Sequence, residues 1–156
     1  MAMTVKSGMT QPDPLNLDSM LCFAVYAAGH AFTRFYKPRL DALGLTYPQY
    51  LVFLVLWETD GLTVKGLGDK LFLDSGTITP LVKRLETRGL LRRQRDAVDE
   101  RQVRVFLTPE GQALREKALA VPLAVYGALA GEREAVDMLR DGLHRLRQQL
   151  DGDLPA

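Results

Sequence analysis

The stretch Leu73-Asp74-Ser75-Gly76-Thr77-Ile78-Thr79-Pro80-Leu81-Val82-Lys83-Arg84-Leu85-Glu86-Thr87-Arg88-Gly89 decides the fold. Asp74 can cap a helix from Ser75 to Arg88, and Gly89 stands where a left-handed residue stops it. Ile78, Leu81 or Val82, and Leu85 recur at helical spacing as one apolar stripe. Ser75, Thr77, Thr79, Lys83 and Arg84 supply a polar face. Upstream, Thr63 can cap a shorter helix through Leu71, with Val64, Leu67 and Leu71 inward. Only Phe72-Leu73-Asp74 separates the two. Two short helices, a tight turn and a polar-faced second helix make the helix-turn-helix pattern.

Downstream the period changes from helix to strand. Leu90 to Arg95 is short and basic, and Val103, Val105 and Leu107 alternate with Arg104 and Phe106. Asp96 to Gln102 form the tip between these strands, with Asp99, Glu100 and Arg101 on it. A hairpin placed directly after a helix-turn-helix is a wing. Thr108-Pro109-Glu110 then restarts helix with a cap, a proline at the first helical position and an acid in the first turn. That helix is expected to reach about Ala130, with a kink at Pro122. Val136, Leu139, Leu143, Leu146 and Leu150 follow at spacings of 3, 4, 3 and 4, an a/d seam over two heptads.

Upstream, Thr46-Tyr47-Pro48-Gln49 is a helix start of capping-box type. Tyr50 to Trp57 is apolar nearly all round, as befits a core helix, which ends at Asp60-Gly61. Leu17 to Leu43 reads as one long helix capped by Asn16 or Asp18 and stopped by Gly44, and Pro38 can kink it. It is too apolar for a surface element, so a partner subunit is expected to cover it. With the C-terminal seam, this predicts a homodimer built from the two chain ends. The expected division is a flexible arm over 1–14, a dimerisation helix over 15–45, a winged helix-turn-helix over 46–108 and C-terminal dimerisation helices over 109–156. The fold class is mainly α with a small β-hairpin wing.

Composition agrees: 156 residues, 47% hydrophobic and 25% charged, is ordinary for one globular domain. The longest apolar runs, Leu21 to Ala28 and Tyr50 to Trp57, fall far short of the roughly 20 residues of a membrane-spanning helix, so no membrane association is expected. The first residues lack the apolar core of a signal peptide. One cysteine excludes an intrachain disulfide, and with only two histidines the usual zinc patterns are absent. No cofactor is expected, and a cytoplasmic protein fits.

The net charge of +1 hides an asymmetry. From Leu81 to Arg104 eight basic residues face four acids, a balance of +4, which leaves −3 for the rest. A local arginine block suggests an anionic partner on one face. The bland alternative is a solvated surface, with Arg88, Arg92 and Arg93 free in water or paired with Glu86 and Asp96. On the nucleic-acid reading, the helix from Ser75 enters the major groove of double-stranded DNA. There Ser75, Thr77 and Thr79 are short donors, and Lys83 and Arg84 reach phosphates or guanine edges. Arg101, oriented by Asp99, enters the adjacent minor groove. A two-fold protein implies a pseudo-palindromic operator.

The stretch quoted above, followed by Gly89-Leu90 and by Arg95-Asp96 to Asp99-Glu100-Arg101, resembles the MarR family of dimeric winged-helix transcriptional regulators. The likeness runs from roughly Leu21 to Leu150. More narrowly the chain is similar to the OhrR branch, repressors that sense organic hydroperoxides. That resemblance implies a reactive cysteine early in the first helix, here Cys22, approached by two tyrosines, here Tyr36 and Tyr47. Some members carry a second cysteine that pairs with the sensor. This chain has none and resembles the one-cysteine type, so oxidised Cys22 is expected to pair with a low-molecular-weight thiol or to oxidise further.

A thiol senses peroxide as thiolate. With the helix starting near Leu17, Cys22 would lie within about two turns of its start, where the dipole fades. No Lys, Arg or His stands within four residues, so activation is left to tertiary neighbours such as tyrosine hydroxyls. Cys22 and Tyr36 are about 21 Å apart along one helix at 1.5 Å per residue. If they touch, they touch across the dimer. Four other readings stand beside this one. They are a MarR-type repressor released by a small phenolic or aromatic ligand, a purely architectural DNA binder, an inert core cysteine, and a thiol peroxidase. The last is disfavoured because His30 is about 12 Å from Cys22 along the helix and forms no local Cys–His pair.

Overall fold

The computed structural model describes residue 13 and residues 15–153, so the arm expected over 1–14 lies almost wholly outside the described residues. The chain falls into two compact units, one ending at Tyr47 and the other beginning at Pro48.

The first unit holds a 3-10 turn, Leu17–Ser19, and α1, Leu21–Asp41. The long helix expected from Leu17 therefore starts four residues later. The side-chain oxygen of Asn16 accepts from Asp18 N at 2.9 Å, and Ser19 Oγ donates to Asn16 O at 2.8 Å. These local bonds close a tight turn in place of a first α-turn. Met20 is extended and becomes the cap residue of α1, without a side-chain cap bond. Pro38 lies inside α1, which continues past it. At the other end Gly44 N donates to Asp41 O and Leu45 N to Leu40 O, the Schellman pair, with Gly44 at φ 65.

The second unit is built on α2, Tyr47–Glu58, of which Val52, Phe53 and Leu56 are fully enclosed. Thr46 thus stands at the cap position and Pro48 in the first turn. α3, Val64–Leu71, is capped by Thr63, and α4, Ser75–Thr87, by Asp74, whose carboxylate accepts from Thr77 N at 2.9 Å. Ile78, Leu81, Val82 and Leu85 of α4 are buried, the stripe read from spacing. α3 lies close to the turn and to α4 at Gly68, where a Cβ would stand 2.8 Å from the Leu73 carbonyl oxygen and 3.3 Å from Ile78 Cγ2. α4 ends at Gly89, φ 71, with the same Schellman pair of bonds as α1.

β1, Leu91–Arg95, pairs antiparallel with β2, Val103–Leu107, with Arg93 opposite Val105. Residues 61–63 add an unforeseen third edge. Gly61 N donates to Val105 O at 3.0 Å, Val105 N donates to Leu62 O at 2.8 Å, and Thr63 bridges to Arg104. Thr108 then ties two helix ends together. Its Oγ donates to Gly89 O at 2.7 Å and accepts from Gly111 N at 3.1 Å at the start of α5, Pro109–Ala118.

The single helix expected to Ala130 is two, α5 and α6, Ala120–Ala128. The break falls at Leu119, ahead of Pro122, because a proline supplies no N–H to the carbonyl four residues back and its ring crowds that carbonyl. α7, Arg133–Gly152, follows and has no buried residue. Leu139 is 63% exposed and Leu150 60%. The architecture is mainly helical with a two-stranded antiparallel wing.

Candidate nucleic-acid interface and thiol site

The outer face of α4 holds the residues expected to read DNA. Ser75, Thr77, Lys83 and Arg84 are exposed, and Thr79 is half-buried. The Thr77 hydroxyl donates to Asp74 Oδ2 at 3.3 Å, so it meets a ligand as an acceptor more readily than as the donor expected. Lys83 and Arg84 make no ion pair among the described residues. Pro80 sits inside α4 and leaves the Gly76 carbonyl without a helical donor.

The arginine block divides by partner. Arg93 donates from its backbone N and its Nε to Glu86 at 2.9 and 2.7 Å, which joins β1 to α4 and holds the Glu86 carboxyl below its ordinary value. Arg92 lies over the Phe106 ring at 4.4 Å. Arg104 is paired with Asp96. The cations left facing outward are Lys83, Arg84, Arg88, Arg95 and Arg101. The bland reading thus fits Arg93, paired with Glu86, and Arg88, exposed without an ion pair among the described residues, while Asp96 takes Arg104.

At the wing tip, Asp99 Oδ1 accepts from Arg101 N at 3.1 Å and Oδ2 from Gln102 Nε2 at 3.0 Å. The contact from Asp99 to Arg101 is made at the Arg101 backbone N–H. The Arg101 side chain is exposed.

Cys22 is exposed and is the second residue of α1. It therefore lies in the first turn, at the positive end of the helix dipole, closer to the start than a helix from Leu17 would put it. It is not a core residue of its own chain. The residues around it are apolar and open: Leu21, Val25 and Tyr26 are all exposed. Tyr26, one turn along and on the same face, packs edge-on against His30 at 4.3 Å. Sequence reasoning passed over Tyr26, although its i+4 spacing from Cys22 was the available signal.

Tyr36 and Tyr47 do come together, with ring centroids 4.9 Å apart. Burial raises the Tyr47 phenol above its ordinary value, which keeps it a hydrogen-bond donor. Gly29, Phe32 and Thr33 complete a hollow of about 250 Å³ beside them. α1 runs unbroken from Leu21 to Asp41, so Cys22 stays about two-thirds of a helix length from Tyr36 within one chain. Among the described residues no group of three or more His, Cys, Asp or Glu could hold a metal ion, and no helix is long and apolar enough to cross a membrane.

The family model described as transcriptional regulator SarA/Rot matches residues 34–118. The chain is 52% identical over 158 residues to the HTH-type transcriptional regulator TtmR of Methylorubrum extorquens, covering 98% of this chain and 81% of TtmR. It is 45% identical over 138 residues to the organic hydroperoxide resistance transcriptional regulator of Bacillus subtilis, covering 88% and 94%. Among solved structures, reduced AbfR bound to DNA superposes with TM-score 0.75 at 38% identity, covering 87% of this chain and 93% of that one. Overoxidised AbfR, also bound to DNA, gives 0.67 at 40%, covering 83% and 94%. AbfR is from Staphylococcus epidermidis. The two sequence relatives are named as regulators rather than enzymes, and the fold is that of DNA-bound AbfR. The chain belongs to the MarR/SarA family of winged-helix, DNA-binding transcriptional regulators.

Proposed function

We propose that the protein is a homodimeric repressor that holds a pseudo-palindromic operator while Cys22 is reduced and leaves it when an organic hydroperoxide oxidises Cys22. The observation that carries this reading is the unbroken α1. It places an exposed thiol at one end and the Tyr36–Tyr47 pair at the other, with an exposed apolar face between. Two such helices lying antiparallel bring each thiol to the other chain's tyrosines and cover both apolar faces. The B. subtilis relative, named for organic hydroperoxide resistance, supports the choice of oxidant.

The Cys22 thiolate attacks the terminal peroxide oxygen, the O–O bond breaks, and the alkoxide leaves as the alcohol after taking a proton. The sulfur is left as sulfenic acid. A low-molecular-weight thiol then condenses with it, releasing water and leaving a mixed disulfide. Either product inserts polar or bulky atoms into a packed interface, which responds by switching between arrangements. The spacing of the two α4 helices changes with it. On DNA, Ser75, Thr77, Thr79, Lys83 and Arg84 face the major groove, and Arg101, on the turn shaped by Asp99, enters the minor groove.

A gel shift on the DNA upstream of the protein's own gene tests this. Native protein should release the DNA after organic hydroperoxide and rebind after a thiol reductant, while Cys22→Ser should hold on throughout. If both proteins hold DNA regardless of oxidant, the redox reading is wrong. The hollow beside Tyr36 and Tyr47 favours a second reading, release by a small phenolic or aromatic ligand. Release of Cys22→Ser by such a compound would select it.

A further inference from the structure

Asp96 is 7% exposed, the most enclosed of the three carboxylates at the wing. Its Oδ1 accepts from Val98 N at 2.8 Å and Asp99 N at 3.0 Å. Its Oδ2 accepts from Arg104 Nε. Its own N–H donates to Gln102 O at 2.9 Å, and Gln102 N donates to Asp99 O at 2.9 Å. The tip is thus folded around one carboxylate, with Asp99 closing the outer half of the same turn through Arg101 N and Gln102 Nε2. The backbone on either side of Arg101 is held, while its side chain projects without an ion pair among the described residues.

Arg104 faces the opposite way. Its Nη1 donates to Gly61 O at 2.9 Å, and its backbone bridges to Thr63, the cap of α3. The side chain therefore ties the wing turn to the residues that open the helix-turn-helix. Its charge is spent on Asp96, so it is a poor candidate for a phosphate contact despite lying in the basic stretch.

We propose that Asp96 and Arg104 are positioning residues for Arg101: the enclosed carboxylate sets the wing turn that presents the Arg101 guanidinium to DNA, and Arg104 anchors that carboxylate to the strand edge at Gly61. The inference rests on the reading of Arg101 as a minor-groove contact. Presenting one cation from a fixed turn avoids ordering that turn at the moment of binding. The effect belongs to DNA that the wing engages and not to general attraction for phosphate.

A double-mutant cycle measures it. Fluorescence anisotropy is read on a duplex from upstream of the protein's own gene and on an unrelated duplex of equal length. The proteins are native, Arg101→Ala, Asp96→Asn and the double variant. Arg101→Ala should weaken operator binding about tenfold. Asp96→Asn should weaken it by a similar factor, with less than about a twofold change on the unrelated duplex. The double variant should bind the operator within about twofold of Arg101→Ala alone. Multiplied losses in the double variant, or native affinity in Asp96→Asn, overturn the proposal. No loss in Arg101→Ala is a different result, since it removes the minor-groove reading itself. If circular dichroism shows Asp96→Asn unfolded, Arg104→Gln replaces it in the same cycle and carries the same outcomes.

Discussion

The helix-turn-helix with its wing and the terminal helices, α1 and α7, both carry apolar residues at helical spacing and use them differently. In α4 the stripe Ile78, Leu81, Val82, Leu85 is buried within the chain. In α7 the seam Val136, Leu139, Leu143, Leu146, Leu150 contains no buried residue, and in α1 only Leu40 is buried. Spacing says that a helix has an apolar partner; it does not say on which chain the partner lies. On the proposed homodimer, the open stripes are the surfaces that a second copy covers.

Four measurements break or sharpen that contrast. Leu139→Asp with Leu143→Asp buries two charges in any helix pairing through the seam. It should weaken self-association by more than about a hundredfold, while circular dichroism stays near native. Sedimentation velocity reads the first effect, and a dimer that survives would assign the seam another role. Phe53→Ala acts on the enclosed side of the contrast. Phe53 is fully buried beside Trp57, with ring centroids 5.3 Å apart, so the substitution should cost about 3–5 kcal/mol in urea unfolding. Asp74→Ala removes the cap of α4 and should cost about 1 kcal/mol, together with some operator affinity through fraying of Ser75 and Thr77.

The smallest effect is present at neutral pH and vanishes in acid. Two backbone N–H groups of the wing turn, Asp99's first, and the Arg104 guanidinium hold the Asp96 carboxyl down to about 2 from the ordinary 3.8. A depressed folded value contributes stability above the ordinary pKa and loses it as pH falls through the folded one. Melting curves of the native protein and Asp96→Asn should therefore differ above about pH 4 and converge as pH falls to about 2. A constant gap across that window would show that the ionised form contributes nothing.

What could be read from the sequence follows from how local each determinant is. Asp74, Thr63 and Thr108 cap their helices through atoms three residues away, and Gly44 and Gly89 stop theirs within a single turn. Composition and spacing over such distances are enough. The bridge from residues 61–63 to β2 is not legible because three residues have no period, and their partner lies more than forty residues on. The start of α1 was misplaced because Asn16 and Ser19 offered the backbone a competing local turn. In the site, the outward residues of α4 were legible as the complement of its buried stripe. The pairing of Arg104 with Asp96 was not, since charge counting treats every arginine alike. Tyr36 beside Tyr47 came from resemblance and not from any spacing.

On the proposed antiparallel pairing, the uninterrupted course of α1 has a genetic consequence. When each sensor takes its thiol from one chain and its tyrosines from the other, the two kinds of lesion sit in different places. A Cys22→Ser homodimer has no working sensor, and a Tyr36→Phe homodimer has two impaired ones. Co-expressed, the two alleles form mixed dimers in which both lesions fall in one sensor and the other is wholly native. Two defective alleles would then complement each other, with a response midway between none and full. A sensor contained within one chain would show no such rescue.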